Sequence, residues 1–216
     1  MKKFNSIGVL GSGLMGHGIA YTAALSGLEV LMLDITKKKA RKGLKKIYQI
    51  LEKDFGRGVI TEQGLHDTKA RITISDDYKD LETKNFIIEA IYEDLNIKSK
   101  ALKTAEKFIK PDGIIASNTS TIPISILASK IKSSERFIGI HFFSPVHKMK
   151  LVEIIKANST SSSTLEKALN FAKAITKTPI VVNDSPGFYT TRVFTKYPCE
   201  GMAMLDEGIK ATSIEN

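Results

Sequence analysis

Two ionisable residues stand alone in otherwise apolar, strand-like runs. His141 sits in Phe137-Ile138-Gly139-Ile140-His141-Phe142-Phe143, and Glu153 sits in Leu151-Val152-Glu153-Ile154-Ile155. A buried carboxylate is unfavourable unless it is paired. If the two runs are neighbouring strands, the histidine and the glutamate can satisfy each other. The carboxylate then holds the imidazole tautomer and raises its basicity, as in a catalytic dyad. From spacing alone, a structural histidine is the commoner alternative. The other histidines have different settings: His17 follows a glycine-rich turn, His66 lies in a polar helical stretch, and His147 lies in a loop.

The glycine-rich turn is Gly11-Ser12-Gly13-Leu14-Met15-Gly16, a G-x-G-x-x-G pattern that follows a strand-like run and opens a helical one. The first glycine permits a tight turn, the second lets backbone approach a pyrophosphate, and the third lets helix pack closely on strand. The positive end of the helix then stabilises the anion. Asp34 ends the second apolar run, 18 residues after Gly16. A carboxylate there can accept both ribose hydroxyls of NAD and repels the 2′-phosphate of NADP. Lys37, Lys38 and Lys39 lie close by and could instead hold a phosphate. A third cluster, Ser117-Asn118-Thr119-Ser120, directly follows Ile114-Ile115-Ala116. Ligands of doubly wound sheets bind beyond the carboxyl ends of strands, so these side chains suit a polar ligand. A helix cap for the following turn is the alternative.

The elements that must position these groups follow from the pattern of the chain. Strands are expected at Ser6–Leu10, Glu29–Leu33, Ile72–Ile74, Phe86–Ala90, Gly113–Ala116, Phe137–His141, Leu151–Ile155 and Pro179–Val182. Helices are expected at Leu14–Ser26, Lys37–Asp54, Thr61–Thr68 with Thr61 as cap, Asn96–Ile109 and Pro123–Ser129. Another runs to about Ile175 from a capping box of Ser163 and Glu166, and a last one spans Phe188–Gly208, kinked by Pro198. Strands alternating with helices predict a mostly parallel sheet covered on both faces. The alternation stops near Ser185, giving a domain over 1–185 and a segment over 186–216 too short to bury a core of its own.

The chain has 216 residues, 42% hydrophobic and 25% charged, which excludes disorder as its main state. No run approaches the roughly 18 apolar residues of a membrane span. The N-terminal Met1-Lys2-Lys3-Phe4 leads straight into a strand rather than a signal peptide, so a cytoplasmic protein is expected. A single cysteine, Cys199, excludes an internal disulfide and a cysteine-based metal site, and no metal is expected. The net charge of +9 suggests an anionic partner, with a cofactor or phosphorylated metabolite favoured over nucleic acid. The chain lacks the aromatic-plus-basic platform that nucleic-acid binding uses.

The pieces GSGLMGHGIA, EAIYEDLNIK, ASNTS, RFIGIHFFSPVHKMKLVEII and DSPGFYTTR occur in the order used by L-3-hydroxyacyl-CoA dehydrogenases, from about Ser6 to Gly208. The chain resembles that family. In detail it looks most like the dehydrogenase portion of multifunctional fatty-acid β-oxidation proteins, here with no hydratase segment expected ahead of Met1. The resemblance implies a Rossmann-like domain followed by the first helix of a truncated helical C-terminal domain. It implies oxidation of the 3-hydroxyl of an acyl-CoA, with hydride passing to NAD. A module that binds NAD without turnover is the alternative. By resemblance, His141 is the base that takes the hydroxyl proton, Glu153 its orienting carboxylate, and Ser120 a contact to the substrate oxygen. The loop Gly11, Ser12, Gly13, Leu14, Met15 and Gly16, with Asp34, matches the pyrophosphate and ribose sites. Glu93, Lys98 and Asn118 match further NAD contacts, although Glu93 and Lys98 by themselves read as solvated helix-end charges.

Two positions depart from the pattern. Thr191 stands where single-function members have a substrate-touching asparagine, and Ser144 replaces an asparagine near the nicotinamide. In the family a further helical domain forms much of a dimer interface and one wall of the acyl-CoA cleft. The expected partners are therefore an acyl-CoA substrate and either a second copy or a second polypeptide supplying that domain. Phe188, Val193, Phe194, Met202 and Leu205 are expected to form an exposed apolar stripe on the last helix.

Overall fold

The computed structural model describes residues 5–215; Met1-Lys2-Lys3-Phe4 and the expectation attached to it lie outside the described residues. Its strands in chain order are β1 (Ser6–Leu10), β2 (Glu29–Leu33), β3 (Ile72–Ser75), β4 (Phe86–Glu89), β5 (Ile114–Ser117), β6 (Phe137–Phe142), β7 (Leu151–Lys156) and β8 (Thr178–Asn183). They form one sheet in the order β3-β2-β1-β4-β5-β6-β7-β8. All pairs from β3 across to β6 are parallel, β7 is antiparallel to β6, and β8 is parallel to β7. The central strands β1, β4, β5 and β6 are buried along nearly their whole length rather than alternating, because helices cover both faces. The antiparallel junction follows from length. Residues 143–150 link β6 to β7, short of the dozen or so that a parallel crossover needs.

Eight α-helices accompany the sheet among the described residues: α1 (Leu14–Leu25), α2 (Lys37–Gly56), α3 (Glu62–Ala70), α4 (Leu95–Glu106), α5 (Ile124–Ala128), α6 (Ser162–Ala174), α7 (Thr190–Asp206) and α8 (Ala211–Glu215). Ile19 and Ala23 of α1, Ile47 and Leu51 of α2, and Phe171 of α6 share one core with Ile7, Val9 and Ile140 of the sheet. Leu102 of α4, Leu127 of α5 and Phe188 fill a second core with Leu10, Ile87 and Ile115. Side-chain oxygens start several helices: Thr36 accepts from Lys39 N, Thr61 from Gly64 N and Asp94 from Ile97 N. The capping box expected at Ser163 and Glu166 is displaced. Ser161 caps α6, accepting from Thr164 N, so Ser163 already lies inside the first turn.

The first βα turn depends on absent side chains. Gly11 has φ +95°, and a Cβ there would lie 2.6 Å from the Ala90 carbonyl oxygen. A Cβ on Gly16 would lie 1.9 Å from the Gly11 carbonyl oxygen. Gly43 of α2 allows the same intimacy from outside, since its Cβ would meet Ser12 Cβ and O at 2.6 Å.

The last helix begins later than its sequence pattern suggests. Phe188 precedes α7 in the left-handed region, at φ 49°, and is buried in the second core. It is therefore not part of an exposed stripe. Val193, Phe194, Met202 and Leu205 are exposed, with Tyr197 the most exposed at 81%. Pro198 lies inside α7, which continues across it. No described helix is long and apolar enough to cross a membrane.

Candidate active site

Antiparallel pairing puts His141 of β6 directly opposite Glu153 of β7. Directly opposed residues project from the same face of a sheet, so the two side chains meet. His141 Nδ1 lies 2.8 Å from Glu153 Oε2. Glu153 has no exposed surface and His141 is 5% exposed. With Nδ1–H donating its hydrogen bond to the carboxylate, Nε2 keeps its lone pair and faces the Ser120 hydroxyl at 3.1 Å. The rings of Phe143 and Phe188 flank the imidazole at centroid distances of 4.7 and 5.8 Å.

Ser120 is held from behind. Glu93 Oε1 accepts hydrogen bonds from Thr119 Oγ1 at 2.5 Å, Ser120 N at 3.0 Å, and Thr121 N and Oγ1 at 3.1 Å. Glu93 Oε2 pairs with Lys98 Nζ at 3.2 Å, and the same ammonium lies 2.6 Å from Glu89 Oε1. Glu89 Oε2 accepts from Ser117 Oγ at 2.6 Å. Glu89 and Lys98 are completely buried. Lys98 is thus not the solvated helix-end charge that its sequence context suggests; it faces inward from α4 because two carboxylates neutralise it. Glu89 escaped the reading of the sequence, although it carries the same signal as Glu153: a single charge closing an apolar strand, Phe86-Ile87-Ile88-Glu89. Asn118 Oδ1 accepts from Phe142 N at 2.8 Å, tying this loop to the end of β6.

The glycine turn is reached from β2. Asp34 Oδ2 accepts from Ser12 N at 2.9 Å and from Ser12 Oγ at 2.5 Å, while Oδ1 accepts from Ile35 N at 2.8 Å. Gly13 caps the start of helix α1 and offers no side chain, so the first amides of the helix are available to an anion. A Cβ on Gly13 would have nothing within 4 Å, leaving open space over those amides. Leu14 is exposed at the mouth of the turn and Met15 packs against the core. These features fit a dinucleotide pyrophosphate. Ser144 is exposed at the turn beyond β6. Lys177, buried, steadies that turn by donating to the carbonyls of Val146 and Met149 at 2.5 and 2.7 Å. Thr191 is half-buried on α7. It is its neighbour Thr190 that meets the dyad, donating from Oγ1 to Glu153 Oε2 at 2.6 Å. No described group of three or more His, Cys, Asp or Glu side chains is disposed to hold a metal.

The model of one family, described as 3-hydroxyacyl-CoA dehydrogenase, NAD binding domain, matches residues 6–185. The chain belongs to this family. The (S)-3-hydroxybutyryl-CoA dehydrogenase of Ralstonia eutropha is 37% identical, with a TM-score of 0.93 over 96% of this chain and 74% of that one. The 3-hydroxybutyryl-CoA dehydrogenase of Escherichia coli K12 is 32% identical, with a TM-score of 0.93 over 97% of this chain and 44% of that one. The dehydrogenase part of multifunctional enzyme 1 from C. elegans shares the fold, with a TM-score of 0.80 at 23% identity over 95% of this chain and 46% of that one. In family terms, the glycine turn belongs to the NAD binding domain. The His141–Glu153 pair and the Ser120 loop sit within the same matched span.

Four acidic or imidazole groups have perturbed titration with one common sign. Burial alone pushes the Glu153 carboxyl up, but hydrogen bonds from His141 and Thr190 overcome it and hold the group below its ordinary value. Burial likewise opposes Glu93, and its bonds from Thr119 and Lys98 win, again lowering it. Burial lowers His17 and His147. Each group therefore binds fewer protons when folded than when unfolded. Stability held at neutral pH is lost first below the unfolded imidazole value of about 6.5, then further below the unfolded glutamate value of about 4.3. Urea-unfolding midpoints should fall steadily from about pH 7 to about pH 4. A midpoint that is flat or rises on acidification would contradict these assignments.

Proposed function

We propose that this protein oxidises the 3-hydroxyl of an L-3-hydroxyacyl-CoA to the 3-oxo compound, with NAD as hydride acceptor, as in fatty-acid β-oxidation. The observation that carries the proposal is the buried His141–Glu153 pair whose free Nε2 lies 3.1 Å from Ser120 Oγ. NAD, when bound, supplies the acceptor for the hydride that leaves C3. The residues of the chain do the rest. Ser120 donates a hydrogen bond to the substrate oxygen and orients the O–H towards His141. His141 Nε2 takes the hydroxyl proton as the C3–H bond breaks, so the alkoxide charge never has to develop in full. Glu153 keeps Nδ1 protonated and stabilises the imidazolium that forms. Phe143 and Phe188 exclude water from the imidazole. We assign Gly11, Ser12, Gly13, Leu14, Met15 and Gly16 to the pyrophosphate and Asp34 to the ribose. Asn118 and Ser144 are assigned to the nicotinamide side, and Thr191 to the substrate. Glu93 and Lys98 are assigned to the cofactor side through the loop they hold.

The same reading extends to assembly. The exposed side chains of α7, among them Val193, Phe194 and Met202, form an apolar face of the kind covered by further protein. The assigned occupant is a second copy or a polypeptide supplying more helices. Sedimentation equilibrium should give a mass above one chain; a monomer at micromolar concentration would remove the second copy.

Replacing the base tests the chemistry. With L-3-hydroxybutyryl-CoA and NAD, His141→Ala should reduce turnover by about 10²–10⁴-fold, the range for a general base, while calorimetric NAD affinity stays near that of the wild type. A parallel loss of NAD binding would make His141 a structural residue instead. Cofactor choice is tested separately. The wild type should bind NAD(H) more tightly than NADP(H), because Asp34 meets a 2′-phosphate with like charge, and Asp34→Ala should lose most of that preference. Equal or tighter NADP(H) binding by the wild type, through the lysines at the start of α2, would overturn the ribose assignment.

A further inference from the structure

Glu153 carries more hydrogen bonds than the orientation of a histidine requires. Its Oε2 accepts from His141 Nδ1 at 2.8 Å and from the Thr190 hydroxyl at 2.6 Å. Its Oε1 accepts from the amides of Tyr189 at 3.1 Å and Thr190 at 2.8 Å. With the side chain fully buried, these donors fill the roughly four lone-pair sites that a carboxylate offers. Thr190 contributes twice, and one of its bonds lands on the oxygen that the imidazole uses.

That sharing has an electrostatic consequence. Hydrogen bonds from a hydroxyl to a carboxylate oxygen are short and strong. Each one draws negative charge from the oxygen that receives it, so the imidazolium finds less charge on Oε2 than a carboxylate without this donor would present. The amides fix Oε1 at the other end, so the carboxylate cannot turn to offer His141 a different oxygen. The other groups facing the imidazole do not touch this bond. Ser120 meets Nε2 from the loop after β5, the rings of Phe143 and Phe188 flank the ring, and Glu93 and Lys98 stand one layer behind Ser120.

We propose that Thr190 is a positioning residue for the base: by sharing Glu153 Oε2 with His141 Nδ1, its hydroxyl fixes the carboxylate and keeps the imidazole less basic than the pair alone would make it. The proposal concerns the proton affinity of His141 and rests on its proposed role only for the effect on turnover. Thr190→Val removes the hydroxyl and preserves the shape and both amide bonds. In ¹⁵N-histidine NMR of the whole chain without substrate, His141 should protonate at a higher pH in this variant than in the wild type. The expected displacement is about half a unit, a minor part of the roughly 1–3 units produced by a whole neighbouring charge. Thr190→Ser should restore wild-type titration. Should the valine variant fail to fold, Thr190→Ala lacks the same hydroxyl and gives the same readout. Titration unchanged, or displaced to lower pH, would overturn the proposal, as would a serine variant that behaves like valine. The acidic limb of the kcat/KM profile should move with the imidazole, and KM for NAD should not. If the imidazole moves and the limb does not, the sharing stands and the role of His141 as base fails.

Discussion

A carboxylate cut off from water must find every one of its hydrogen bonds within the protein, and Glu153 draws them from three directions. The demand reaches well beyond one side chain. It fixes the register of β7 against β6, because a slip of one residue would turn Glu153 to the other face and leave its charge in an apolar layer. It also fixes where α7 begins, because the amides of Tyr189 and Thr190 must point at Oε1. Phe188 is carried inwards by the same turn, through a left-handed backbone, and closes over His141. The junction between the sheet and the last helix is therefore organised by the same atoms that orient the imidazole.

The second buried charge cluster performs the corresponding service for Ser120. Glu89, at the end of β4, holds Ser117 and Lys98; Lys98 holds Glu93; and Glu93 gathers the hydroxyls of Thr119 and Thr121 and the amides of Ser120 and Thr121. Glu93 thereby holds the backbone at Ser120 and Thr121, so the Ser120 hydroxyl is presented from a fixed stretch of chain. A buried ion pair of this kind contributes little net stability once desolvation is counted, but removing one partner leaves an uncompensated charge. Its value lies in geometry. Hydrogen-bond donors and acceptors act on a reaction only when held close to the productive arrangement, and that precision comes from the shell behind them.

How much of this could be read from the chain depends on whether the signal was local. Each strand was legible as an apolar run, and the alternation with helices was enough for a doubly wound sheet. The glycine turn was legible because its requirements are steric and fall on single positions, as the 1.9 Å approach at Gly16 illustrates. His141 and Glu153 were legible as isolated charges in apolar runs. Partners that lie across the fold were not. Lys98 looks solvated in sequence because spacing alone does not show that the turn from β4 into α4 folds it back onto Glu89, nine residues earlier. Ser161 and Ser163 offer nearly the same capping chemistry, and packing of the Ser134–Arg136 turn against Thr164 selects the earlier one. Thr190 was not singled out, because which hydroxyl of the Thr190-Thr191 pair meets Glu153 depends on how α7 docks, and the sequence does not show that.

The single antiparallel junction then acquires a reason. In a parallel sheet, the carboxyl ends of all strands share one edge, and β1, β5 and β6 bring the glycine turn, the Ser120 loop and His141 to that edge. A further parallel strand would have to arrive through a helical crossover, with its register set by that distant packing. A direct return through residues 143–150 instead sets β7 from within the site itself. The orienting carboxylate is placed opposite the histidine by the hydrogen bonds of one strand pair, and the tolerance on that distance is the tolerance of a sheet ladder rather than of a loop.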